Sequence, residues 1–261
     1  MNIIALVKQV PDTETRIKVQ PGAKDIDREG VNFVLNPYDE FAVEESLKIK
    51  EAQGGNVVIM TMGAQQAEEA VRTALAMGAD RAVRLDGDDF LNADNFATAK
   101  ALVKAIQNEE YDLIFCGKQA VDDDGAQVGT LVAAMLDLPC VNQVVKLEVA
   151  GATLKATREI EGGSETIEVP TPCVITAHKG LNEPRYPSLP GIMKAKRKEL
   201  KAVSSGDLGL SADEIGAAGS KTEVAGLSMP PERKAGQVFE GEPAEIVPKV
   251  VALLRDEAKV I

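Results

Sequence analysis

Residues 57–85 read VVIMTMGAQQAEEAVRTALAMGADRAVRL. Val57–Met62 is an apolar strand, Ala64–Met77 carries apolar residues at helical spacing and is closed by Gly78, and Ala82–Leu85 is apolar again. A strand without polar–apolar alternation has both faces buried, and a strand–helix–strand unit of this kind builds a parallel sheet by right-handed crossover.

The same alternation extends in both directions. Upstream, Ile3–Val7 is a short apolar strand. Asp39–Gln53 places Phe41, Ala42, Leu47 and Ile49 at helical intervals with Glu44, Glu45, Lys48 and Lys50 between them, and Gly54-Gly55 stops it. Downstream, a helix over Asn92–Gln107, a strand over Leu113–Cys116 and a helix over Ala126–Leu136 continue the series. The fold class is therefore α/β, a mostly parallel sheet covered by helices on both faces. In such sheets ligands bind at the carboxyl ends of the strands, here the loops after Val7, Met62 and Cys116.

The pattern then changes. Gln143–Val149, Leu154–Ile160 and Thr166–Val169 alternate or are separated by glycine-bearing turns, as in an antiparallel meander, and Val174–Thr176 returns to the core. From Gly180 the chain reads as loop, with Pro184, Pro187 and Pro190 forbidding a helix through the stretch. After about residue 200 come small, polar, glycine-containing stretches and a last helix at Ala244–Ala258. The expected organisation is a nucleotide-binding α/β domain over 1–200, and a C-terminal arm over 201–261 that needs another surface to pack on.

Composition narrows the chemistry. The 261 residues carry a net charge of −12, against general nucleic-acid binding; Lys194, Lys196, Arg197, Lys198 and Lys201 form a local basic exception. A single histidine, His178, cannot build a histidine-rich metal site, and Cys116, Cys140 and Cys173 match no ligand spacing and read as small buried hydrophobes. No apolar run is long enough to cross a bilayer. MNIIALVKQV lacks the basic flank and cleavage site of a signal peptide, so a reducing cytoplasm is expected. A free-standing nucleotide hydrolase is disfavoured, because neither a P-loop nor a nucleophile–base pair is present.

Three segments carry candidate chemistry. Gly117-Lys118-Gln119-Ala120-Val121-Asp122-Asp123-Asp124-Gly125-Ala126-Gln127-Val128-Gly129 follows a strand and opens a helix, where glycines and free amides suit a phosphate. Three aspartates would repel that phosphate, so it belongs near Gly125–Val128; the alternative is that the aspartates simply cap the helix. Asn36-Pro37-Tyr38-Asp39 precedes the first helix and also reads as a plain turn and cap. Leu181–Lys198 holds Tyr186, Leu189, Ile192 and Met193 on a proline-stiffened loop beside Lys194 and its basic neighbours. Such a loop is either a protein-docking site or a surface crossing with its apolar residues turned inward.

LNEPRYPSLPGIMKAKRK resembles the signature of electron-transfer flavoprotein beta subunits, and VKQVPD, NPYDEFAVEESL, RTALAMGADRAVRL and GKQAVDDDGAQVG agree in order along nearly the whole chain. The resemblance implies an adenine-nucleotide-binding, Rossmann-like fold and a heterodimer with a larger alpha subunit that holds most of the redox FAD. It implies an AMP buried by this chain through Leu6, Asn36, Pro37, Tyr38, Asp39, Met62 and Gly117 through Val128. It further implies electron delivery from acyl-CoA-type dehydrogenases docked on the loop with Leu189 as anchor, onward transfer to a quinone oxidoreductase, no catalytic residue in this chain, and pairing of Glu159 with the alpha subunit. The family's housekeeping pattern, DDDxNQTGQ, is broken here by Ala126, Val128 and Thr130. AQVG resembles instead the electron-bifurcating branch, in which a second FAD replaces AMP and meets NADH; AMP is the favoured expectation.

Overall fold

A computed structural model describes residues 1–231 and 236–261. Seven strands run parallel: β1 (Ile3–Leu6), β4 (Val57–Met62), β5 (Arg81–Leu85), β6 (Leu113–Gly117), β7 (Cys140–Ala150), β10 (Cys173–Ala177) and β11 (Leu200–Val203). β8 (Thr153–Ile160) and β9 (Gly163–Pro170) extend the β7 edge in antiparallel fashion. The nine-stranded order is β11-β5-β4-β1-β6-β10-β7-β8-β9, and β2 (Gln9–Pro11) with β3 (Phe33–Leu35) forms a separate antiparallel pair.

Residue alternation along β1 shows why the sheet is covered twice. Ile3 and Ala5 pack in one core with Ala42, Val43 and Leu47 of α1 (Pro37–Gln53) and Ala70, Val71, Ala74 and Leu75 of α2 (Glu68–Met77). Ile4 and Leu6 pack in the other with Ala99, Leu102 and Ile106 of α3 (Asn95–Ile106) and Val132 and Ala133 of α4 (Val128–Leu136). Side chains alternate faces along a strand, so an all-apolar strand feeds two cores at once.

The strand order reverses at β1. The chain moves from β1 to β4 and β5 on one side, then crosses to β6 on the other. The connections leaving β1 and β6 therefore part in opposite directions and open a crevice at their carboxyl ends.

Several expectations need correction. The loop expected through the three prolines contains a helix, α5 (Leu189–Ala195): Pro190 sits in its first turn, where a missing N–H costs nothing, and Ser188 caps it by accepting the Gly191 amide at 3.1 Å. The helix expected from Ala64 begins with a short 3-10 turn at Gln65–Ala67, and the one expected from Ala126 begins at Val128, because Ala126 has a left-handed backbone, φ 52°. The compact unit also continues past residue 200. β11 joins the sheet beside β5, Leu208, Leu210 and Ile215 are buried in the second core, and the unit runs through Leu227. Ser228–Ile261 forms a separate unit, with α6 (Pro243–Ala252) and a π turn at Leu253–Glu257, and no residue of these two elements is buried. No described helix is long and apolar enough to cross a membrane.

Candidate functional site

A cleft of about 430 Å³ lies at the β1–β6 crevice, within the size range of small-molecule sites. Its floor is the ends of three parallel strands: Leu6, Val7 and Lys8 after β1, Met62 and Gly63 after β4, and Cys116, Gly117 and Lys118 after β6.

Two buried polar side chains at the start of α1 shape this floor. Asp39 accepts the Lys8 amide through one carboxylate oxygen and the Gly117 amide through the other, both at 2.8 Å, and so ties the two strand ends together. Burial pushes its carboxyl up to about 7, against the downward pull of those two amides. Asn36 donates through Nδ2 to the Gln119 carbonyl at 2.9 Å and accepts the Val121 amide through Oδ1 at 3.1 Å. Both side chains are almost wholly buried. Asn36 precedes α1, yet its side chain makes no cap bond, because it is spent on the 117–121 loop. Gly117 is required here: a Cβ would lie 2.5 Å from Asp39 Oδ1 and 2.6 Å from the Tyr38 Cβ.

The three aspartates do not cap the following helix. Lys8 Nζ pairs with Asp122 at 2.8 Å and Asp123 at 3.1 Å. Burial alone would lower the Lys8 ammonium, but these carboxylates outweigh it and hold it above its ordinary value. The other Asp123 oxygen accepts the Gly125 amide at 2.9 Å, and Asp124 accepts from Gln119 Nε2 at 2.5 Å. Each of the three carboxylates is thus bonded to Lys8 or within the loop itself, and none caps α4. The amides of Val128, Gly129 and Thr130 find no acceptor among the described residues, and no side chain caps the helix. Ala126, Gln127, Val128 and Gly129 line the cleft. A Cβ on Gly129 would lie 2.6 Å from Cys116 Sγ, so α4 sits tight against β6. Unpaired amides at the positive end of a helix, facing a cleft with Leu6, Met62, Phe90 and Leu102 in its wall, can hold an anionic group joined to a flat apolar one.

Of the candidate residues, the structure places Leu6, Asn36, Asp39, Met62, Gly117, Lys118, Gln119, Ala120, Asp123, Ala126, Gln127 and Val128 on the cleft. Pro37, Tyr38, Val121, Asp122, Asp124 and Gly125 are not on its wall. Pro37 opens α1, and Val121, Asp122, Asp124 and Gly125 are taken up in the loop's own bonds. Tyr38 packs edge-on to His178, ring centroids 5.9 Å apart, with Lys118 Nζ 5.1 Å from its centroid. Glu159 is exposed on β8, away from the cleft.

Sequence reasoning missed Thr98 and Leu102 of α3 and two further parts of the wall. One is the stretch from Gly87 to Asn95, which the strand-end rule would have supplied had the loop after Leu85 been counted with the others. The other is Lys24, Asp25 and Arg28, in a polar stretch whose periodicity carries no signal.

On the second candidate surface, Tyr186, Leu189, Ile192 and Met193 are all exposed, Tyr186 at 94% and Leu189 at 80%. The reading in which these residues turn inward therefore fails, whereas Ala195 at the end of α5 is buried against the core. Lys194, Lys196, Arg197 and Lys201 are exposed beside them; Lys198 differs, donating to the Leu75 carbonyl at 3.0 Å and to that of Ala79. The cysteines are free. Cys116 and Cys173 are buried and Cys140 half-buried, and burial pushes the thiols of Cys140 and Cys173 up to about 11 and 12, so they stay protonated. No grouping of metal-ligating side chains occurs among the described residues.

A sequence model of the electron transfer flavoprotein domain matches residues 24–208. The chain is 48% identical to the electron transfer flavoprotein subunit beta of Thermoanaerobacterium thermosaccharolyticum, over 97% of this chain and 98% of that one. It is 42% identical to the subunit of the same name from Bacillus subtilis over the full length of both. It is 39% identical to the caffeyl-CoA reductase-Etf complex subunit CarD of Acetobacterium woodii, over 98% of this chain and 99% of that one. With the domain spanning most of the sequence and relatives aligned end to end, the chain belongs to the electron transfer flavoprotein family, among its beta subunits.

Proposed function

We propose that the chain is the nucleotide-holding half of a heterodimeric electron carrier. An alpha subunit holds most of the FAD, whose isoalloxazine supplies the electron chemistry, and this chain buries AMP in the β1–β6 cleft. The observation that carries the reading is the unpaired amides of Val128 and Gly129, residues that line that cleft at the start of α4, with the nearby Asp122 and Asp123 both paired to Lys8. A monophosphate suits one helix start, and the apolar wall suits an adenine. Acyl-CoA-type dehydrogenases dock on the exposed Tyr186–Lys194 surface, and electrons pass on to a quinone oxidoreductase. The relative named for a caffeyl-CoA reductase-Etf complex extends the partner class to a CoA-thioester reductase. The arm after Leu227 packs on the alpha subunit, as its exposed Val238, Val247, Leu254 and Ile261 require, and Glu159 pairs with that subunit too.

A second reading places FAD rather than AMP in the cleft, in a bifurcating complex that meets NADH; Ala126 and Val128 favour it. The two separate by counting. Co-purify the chain with its alpha subunit, release the nucleotides with acid and separate them by chromatography. One FAD and one AMP per heterodimer is the expected result. Two FAD and no AMP would move the protein to the second reading, and one FAD with no second nucleotide would remove both.

A further inference from the structure

Pro184 and Pro187 stiffen the backbone around Arg185 and Tyr186, but two prolines alone do not decide where the pair points. That decision is made from below, by α1. The Glu44 carboxylate receives three bonds from the single residue Arg185: its backbone amide at 3.1 Å and Nε at 2.8 Å on Oε2, and Nη2 at 3.0 Å on Oε1. Glu51, two helical turns further along the same face, accepts the rest of the guanidinium. Glu45 accepts Asn182 Nδ2 at 2.9 Å, and the same nitrogen reaches the Phe41 carbonyl at 2.9 Å. Glu44 and Glu45 are almost fully buried, a costly position for carboxylates unless each is paired; the loop supplies Arg185 to Glu44, while Glu45 has Lys48 of its own helix at 3.2 Å besides Asn182 of the loop. Tyr186 and Leu189, by contrast, stand largely in solvent.

We propose that Glu44, acting through Arg185, is a positioning residue for partner docking: it sets the 182–189 loop in its binding shape before the partner arrives. The inference rests on the reading of this loop as the dehydrogenase-docking surface. A carboxylate that grips both the backbone and the side chain of Arg185 fixes where Tyr186 starts. A loop already ordered loses less entropy when a partner binds, so the clamp acts on encounter affinity and leaves electron transfer within the docked complex alone.

The test uses the complete heterodimer with an acyl-CoA-type dehydrogenase and compares Glu44→Gln, Arg185→Lys and Leu189→Ala with the parent. Glu44→Gln should raise the KM for the flavoprotein roughly tenfold, the penalty of ordering one or two side chains anew, with kcat, dithionite reduction and flavin content unchanged. Hydrogen exchange at the amides of Arg185 and Tyr186 should quicken while that of α1 does not. Arg185→Lys, which keeps the charge but loses the fork, should show the same KM-only change, and decides the matter if Glu44→Gln does not fold. A normal KM in Glu44→Gln or, where that variant fails to fold, in Arg185→Lys, while Leu189→Ala is impaired, overturns the positioning role and leaves the docking surface standing. A rise in KM matched by loss of kcat, melting temperature and flavin together also overturns it. Normal kinetics in Leu189→Ala removes the docking reading itself.

Discussion

At the scale of single residues, Asp39 does more than its place in a helix start suggests. One carboxylate bridges the ends of two strands that are far apart in sequence, at Lys8 and Gly117. Its folded-state value of about 7 lies above the 3.8 of an unconstrained aspartate. Between about pH 4 and 7 the folded chain therefore keeps a proton that the unfolded chain has lost. Its contribution to stability is full below the lower value and is lost as pH rises through the upper one. Asp39→Asn removes this dependence, and because an amide oxygen can serve only one side of the bridge it leaves one buried N–H unpaired, at a cost of about 1–3 kcal/mol. Melting temperatures of parent and variant from pH 5 to pH 8 should show a deficit that is largest at pH 5 and narrows by pH 8. Parallel curves would contradict the assignment. Ala126 is informative in another way. Its left-handed backbone is a region that asparagine enters more readily than alanine, which gives a physical reason for the asparagine at this position in the pattern DDDxNQTGQ.

Among the elements, α5 is the sharpest test. Leu189 stands at its first position with most of its surface in solvent, while Ala195 at its last anchors it to the core. A leucine filling a partner's pocket is worth on the order of 2 kcal/mol, roughly thirtyfold in affinity. An exposed side chain contributes to stability only within about 0.5 kcal/mol. Leu189→Ala should therefore slow dehydrogenase-coupled flavin reduction several-fold or more while melting temperature and dithionite reduction stay put; a variant that unfolds, or one with normal coupled turnover, would contradict the role. The helices and strands of the first half were legible from their periods because each period reports one local geometry. α5 was hidden by its prolines, whose effect depends on whether they fall inside a helix or in its first turn. β11 was hidden because a four-residue edge strand, LKAV, carries little alternation; Val174–Thr176 did read as a return to the core, but nothing local tells that strand, β10, that it will insert between β6 and β7.

For the whole molecule, the site was legible as a rim and not as a set of contacts. The rule that ligands gather at strand ends led to the loops after Val7, Met62 and Cys116, and Lys8, Gly63 and Gly117, which open those loops, line the cleft. The same reasoning could not separate residues that face a ligand from residues that build the floor. Asn36 and Asp39 border the cleft while their side-chain bonds go to the protein's own backbone, and Tyr38 lies off the wall, with Lys118 and His178. It also could not show that Lys8 would pair with both Asp122 and Asp123 across more than a hundred residues of chain and offset part of their charge. That pairing is what makes a phosphate beside a triple aspartate physically reasonable.

The central claim is that an adenine nucleotide occupies this cleft with its phosphate on the first turn of α4. A crystal structure of the heterodimer with its co-purified nucleotide tests it most directly. The expected result is a single phosphate within hydrogen-bond reach, about 2.7–3.2 Å, of the amides of Val128, Gly129 or Thr130, with its adenine against Leu6, Met62 and Phe90. A nucleotide bound elsewhere on the chain, or a phosphate held by side chains with the α4 amides left to water, would contradict it.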